Sequence, residues 1–227
     1  MSIFPPSTNL VVGPGFKDRY VPGYPTNATG EVPESAWTGR TLREISRQEF
    51  EGSGVRVGEL SAWDYFGDGS FYLVATPGHV PEGGERDGDG GEDSFVFLGA
   101  DICHHAGELR PSRYLHIPEG DCSNLLSSGA VCPGEVSQSP RESKERGGDE
   151  PFFTPALAKD TPLAMDSIYK AQEADGKNNV LFLWAHDVEP FESAELSPKY
   201  ANDWKKKGWK GKMIWSFLGD LEQKEKA

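Results

Sequence analysis

The chain has 227 residues, room for one sizeable domain, and its 36% of apolar residues set a modest core that 12 Phe, 7 Tyr and 6 Trp enlarge. Its 36 acidic residues against 23 basic ones give a formal net charge of −13, which argues against phosphate backbones and anionic membrane surfaces as partners. The basic cluster Lys205, Lys206, Lys207, Lys210 and Lys212 reads as a solvated helix end.

In chain order, residues 10–12 (Leu-Val-Val) form a short apolar run stopped by Gly13, Pro14 and Gly15, and the stretch up to Gly39 reads as a long irregular connection. Val55 and Val57 alternate with polar neighbours, the pattern of a half-buried strand. The aromatic runs 62–66 and 71–74, separated by Gly67, Asp68, Gly69 and Ser70, predict a β-hairpin. Residues 81–94 are almost entirely Gly, Glu and Asp at their centre, too polar to offset the cost of ordering, so a flexible loop is expected. Residues 95–98 (Phe-Val-Phe-Leu) read as a strand buried on both faces. A second flexible loop is expected over 120–149. Thr161 followed by Pro162 suggests a helix start, and Ala164, Ile168 and Ala171 then share a face until Gly176. Residues 180–184 form another apolar strand. Ser197 and Pro198 repeat the cap pattern before a helix carrying Tyr200, Trp204 and the lysines. Strands first, then helix, strand and helix, suit a layered α/β arrangement in a single domain, 1–227.

Cys103, Cys122 and Cys132 do not make a disulfide scaffold in a chain this long. No apolar run approaches the roughly 20 residues that span a bilayer. The residues after Met1 have neither a charged leader nor an apolar core, so no signal peptide is expected. The expectation is a cytoplasmic protein with reduced thiols, without nucleic-acid or membrane partners, and with no indication of oligomeric state.

The five histidines are His79, His104, His105, His116 and His186. His79 follows the strand 71–74 after a Pro-Gly turn, Asp101 follows 95–98, and His186 follows 180–184. Three potential ligands therefore stand where three strands finish. A lone histidine at a strand end is more often structural; the repetition puts a shared metal on an equal footing with that reading, and imidazole with carboxylate suits zinc, iron or manganese.

The segments Thr76-Pro77-Gly78-His79, Phe97-Leu98-Gly99-Ala100-Asp101 and Ala185-His186-Asp187 resemble the metallo-β-lactamase superfamily. A closer resemblance, to its fungal lactonase-like members, is carried by residues 66–72, Cys103-His104-His105, Glu108 to Ser112, Cys132-Pro133-Gly134, Asp203-Trp204 and Lys207-Gly208-Trp209. The resemblance implies an αβ/βα sandwich with one or two zinc ions. His79 would be the third imidazole of the first ion, Asp101 would bridge both, and His186 would complete the second. His104, His105 and Asp187 would support the ligands or line the pocket. The implied activity is hydrolysis of an ester-like or lactone bond in a small-molecule substrate, with water activated between the ions.

The family's His-X-His-X-Asp-His cluster does not occur, since no histidine precedes His79. Residues 4–15 resemble the stretch that follows that cluster in lactonase-like relatives. The expectation is thus an incomplete sandwich lacking its N-terminal strands, through a truncated gene or a misplaced start codon. The family's further Pro-Gly-His after His79 is replaced by Val80-Pro81-Glu82-Gly83-Gly84. A chain of this kind is expected to be weakly active or inactive, and the alternative is a catalytically inactive binding protein derived from the fold.

Overall fold

A computed structural model of the chain describes residues 4–5, 7–77, 82–87, 94–118, 148–188, 194–195 and 198–218, with 82–87 described by their backbone path alone. The expected alternation at Val55 and Val57 becomes strand β3 (Val55–Val57), which starts an antiparallel meander. It continues through β4 (Leu60–Asp64) and β5 (Phe71–Val74), the expected hairpin, with Asp64 opposite Tyr72. The Asp64 carboxylate accepts the amides of Gly67 (2.9 Å) and Gly69 (2.8 Å), which closes the turn between the two strands. Strands β6 (Glu82–Asp87), β7 (Ser94–Leu98) and β8 (Val180–Leu183) complete a six-stranded sheet of order β3-β4-β5-β6-β7-β8. The last pair is parallel. Ahead of the sheet, β1 (Leu10–Val12) and β2 (Leu42–Glu44) pair in parallel, and the connection between them holds only helix α1 (Phe16–Tyr20) and a 3-10 turn at Glu34–Ala36.

The strand β6 (Glu82–Asp87) corrects the loop expected over 81–94. It pairs with β5 on one side and β7 on the other, placing Gly84 between Tyr72 and Phe97. A strand flanked on both sides satisfies its backbone groups through its neighbours and needs little apolar surface of its own. Composition cannot reveal that support. Residues 81 and 88–93 of that segment, and residues 120–147 of the second expected loop, lie outside the described residues.

Helix α2 (Arg47–Gly52) begins in a reciprocal cap: Ser46 accepts from the Glu49 amide, and Glu49 accepts from the Ser46 amide. The crossover from β7 to β8 carries α3 (Ala106–Leu109) and the long helix α4 (Thr161–Gly176). The true cap of α4 is Asp160, whose carboxylate accepts from the Leu163 amide, so Thr161 is the first helical residue rather than the cap. Helix α4 lays Ala164, Ile168 and Ala171 on the sheet face formed by Leu60, Ala62, Val74, Phe97 and Phe182, with Phe97 and Phe182 stacked at 4.4 Å. On the reverse face, Val96, Leu181 and Leu183 meet Trp204, Trp209 and Met213. That second cover is incomplete: Leu98 is 44% exposed, so β7 is not buried on both faces as expected.

The helix expected after Pro198 is shorter. Residues 201–208 form successive turns, and α5 (Trp209–Met213) starts only after Gly208, whose φ of 65° is left-handed and interrupts helical propagation. Lys210 is also not a solvated lysine. Its ammonium donates to the carbonyls of Asp175, Lys177 (2.6 Å) and Val180 (2.9 Å), tying α5 to the end of α4 and the start of β8. Among the described residues, no helix is long and apolar enough to cross a membrane.

Candidate metal centre

Parallel pairing brings the ends of β7 and β8 to one place. Leu98 lies opposite Leu183, and both Asp101 and His186 come three residues later. The two strands then stay joined beyond the sheet: the Gly99 amide donates to Leu183 O (2.6 Å) and the Ala185 amide donates to Ala100 O (2.7 Å). The chain turns sharply there, with Ile102 N donating to Gly99 O at 2.8 Å. A Cβ on Gly99 would sit 2.9 Å from the Phe182 ring and 3.1 Å from Leu183 O, so only glycine allows this approach. Ala100 has φ 31°, a left-handed conformation that costs an alanine about 1–2 kcal/mol. The strain sits immediately before Asp101.

The result is a cluster of donors. His186 Nε2 lies 3.0 Å from Asp101 Oδ1. The His104 ring stacks on His186 with centroids 4.6 Å apart and planes 24° apart. One donor atom from each of Asp101, His104 and His186 falls within 4.8 Å of the others. Side-chain exposures of 52% for His186 and 35% for Asp101 make theirs a surface pair, worth about 0–1 kcal/mol to stability. The arrangement is therefore poorly explained by the fold's needs. Two imidazoles and a carboxylate on the rim are the donor set of a divalent transition metal, and the residues fit such an ion.

Residues 103–105 alternate in direction, and this separates their roles. Cys103 is fully buried and makes no disulfide, as expected of a structural thiol. His104 faces the cluster while its backbone amide donates to the Glu108 carboxylate at 2.8 Å. His105 turns away: its Nδ1 accepts the Gly107 amide at 2.9 Å, capping α3, and its ring packs edge-on against Phe153 and Phe217. That makes His105 a cap and a packing residue, not part of the pocket.

Asp187 is buried, not solvated, although it follows a half-exposed histidine. It lies near Arg110, which donates twice to Asp175 at 2.8 Å, donates to Ile214 O at 2.9 Å, and sits over the Trp184 ring. Burial pulls the Arg110 pKa down, but the Asp175 carboxylate outweighs this, with smaller pulls from Cys103 and Asp187, and the net shift is upward. Glu108 and Arg110 thus hold the scaffold behind the cluster. His116 is exposed and pairs with Asp149 at 2.9 Å, away from any motif.

His79 lies outside the described residues. Strand β5 runs in the same direction as β7 and β8, because two antiparallel pairings separate it from β7, so it finishes at the same end of the sheet. The last described residues before His79 are Thr76, which is buried, and Pro77, whose carbonyl accepts from Ser167 Oγ at 2.5 Å. A cavity of about 420 Å³ opens elsewhere, between α4 and the starts of β7 and β8, lined by Val55, Tyr72, Phe95, Glu173 and Val180 among others. It contains none of the clustered donors, and size alone makes it no rival to the strand tips as a site of chemistry.

No family model matches the chain, and no solved structure matches it. Curated relatives do. The gamma-lactamase FDB1 of Fusarium pseudograminearum is 41% identical over 224 residues, covering 96% of this chain and 54% of that protein. The metallo-hydrolase mfmC of Annulohypoxylon moriforme is 41% identical over 226 residues, covering 97% of this chain and 58% of that protein. Identity at this level over nearly all of the chain supports a metallo-β-lactamase-like, lactonase-like family. The gamma-lactamase MBL2 of Gibberella moniliformis is 42% identical over 156 residues, a match covering 67% of this chain and 63% of that protein. The chain spans about half the length of the curated relatives it matches (54% and 58% for the first two).

Proposed function

We propose that this chain carries part of the metal centre of a hydrolase that opens a cyclic ester or amide, with zinc as the ion and with His79, Asp101 and His186 among its ligands. The observation that carries the reading is the 3.0 Å approach of His186 to Asp101 at the tips of two parallel strands. Relatives named gamma-lactamase and metallo-hydrolase support the reaction class. The mixed sheet, with α4 on one face and a second apolar cluster on the other, is compatible with one half of an αβ/βα sandwich.

When bound, a divalent ion supplies Lewis-acid chemistry, acidifying water and polarising a carbonyl. The chain's own residues do the rest. Asp101 presents carboxylate oxygens that can hold an ion or accept a proton from water. His186, half-exposed, leaves one side of the cluster open to a small molecule. The left-handed Ala100 and the close-packed Gly99 fix where Asp101 begins, so the carboxylate is held in place before any ligand arrives.

The test is turnover of a γ-lactone and a γ-lactam by the zinc-loaded chain, with Asp101→Asn as the comparison. Ring opening that falls at least about 100-fold in the variant, the scale of losing one electrostatic contributor, supports the reading. Zinc held without turnover of either ring favours the binding-protein alternative.

A further inference from the structure

The resemblance to lactonase-like enzymes places ligands at 79, 101 and 186 and gives His104 a supporting or pocket-lining role. The structure points elsewhere. His104 is one of the three residues whose donor atoms converge, and its ring lies face to face with that of His186. Its neighbours face other tasks: Cys103 is in the core and His105 caps α3. The His104 backbone is pinned by Glu108, a buried carboxylate, so the side chain is presented at the cluster from a fixed anchor. The anchoring bond uses the backbone amide, which leaves the imidazole itself to the cluster side.

We infer that His104 is itself a metal ligand, joining Asp101 and His186 as a third donor to one divalent ion. This rests on the metal reading above and deepens it. Two bonds of about 2.1 Å cannot span more than about 4.2 Å, so the donors must close from their present limit of 4.8 Å. Rotation of the two half-exposed imidazoles provides that closure, and the third corner, between Asp101 and His186, is already at 3.0 Å. A two-histidine, one-carboxylate set leaves a coordination position open, the arrangement of a catalytic rather than a structural zinc.

The experiment is a cobalt(II) titration of the metal-free chain, followed by visible absorption and equilibrium dialysis. It compares the unmodified chain with His104→Ala, His186→Ala and His105→Ala. The expected result is one tightly held ion whose affinity falls by more than about 10–100-fold in the His104 and His186 variants, at least the cost of losing a mere supporting partner. The His105 variant should stay within about threefold, and the His104 variant should keep the circular-dichroism spectrum of the parent. If His104→Ala binds like the parent while His186→Ala does not, the inference about His104 fails and the metal reading stands. If the unmodified chain takes up no cobalt, both are overturned.

Discussion

Gly99 is the residue on which the candidate centre most visibly turns. Its missing Cβ lets β7 fold over against Phe182 and Leu183 before Asp101 emerges. Gly99→Ala is therefore expected to destabilise the chain by about 1–3 kcal/mol, as overpacking does, and to weaken metal binding by displacing Asp101. Urea unfolding and metal titration of the same variant check both halves. The meeting of residues 101 and 186 was legible in the sequence because each follows an apolar strand, and parallel strands deliver their ends together. The role of Gly99 was not, since a glycine before an aspartate at a strand end is a common turn. Nor could His104 and His105 be told apart: which of two adjacent imidazoles faces out depends on the backbone entering α3, and no periodicity encodes that.

Among the elements, α4 is the one that joins the centre's scaffold together. Its buried Asp175 holds Arg110 at the end of α3, and its C-terminal carbonyls receive Lys210 from α5. Removing one partner of a buried ion pair leaves the other charge uncompensated, so Asp175→Ala is expected to cost about 3–5 kcal/mol in chemical denaturation. Lys210 sets a pH dependence. Burial lowers its pKa from the ordinary 10.5 to about 8, against the opposing attraction of Asp175. Between those values the unfolded chain binds the proton more readily than the folded one, so this group makes stability rise with pH from about 8 to about 10.5. Lys210→Met should flatten that part of the stability profile, which a series of urea melts across the interval would register. The extent of α4 up to Gly176 and its apolar stripe could be read directly from spacing. The strand β6 could not, because its support comes from β5 and β7 rather than from its own Gly- and Glu-rich residues. The Ser46–Glu49 capping box ahead of α2 was a readable signal that the apolar pattern overshadowed.

At the scale of the whole molecule, a mixed sheet covered by α4 on one face and partly covered on the other presents donors at the end where β7 and β8 finish. The layered α/β class and the family were visible in strand order and in short motifs. The faces left partly open, as at Leu98, were not, because apolar composition says that a strand can be buried and not that something is there to bury it. The central claim is that Asp101 and His186 meet in order to hold an ion. Thermal unfolding of the metal-free chain with and without zinc measures this directly. An ion bound only by the folded state, at about 100 times its dissociation constant, should add about 2.7 kcal/mol of stability, and the gain should vanish in Asp101→Asn and His186→Ala. A midpoint that zinc leaves unmoved, or one that rises equally in both variants, would contradict it.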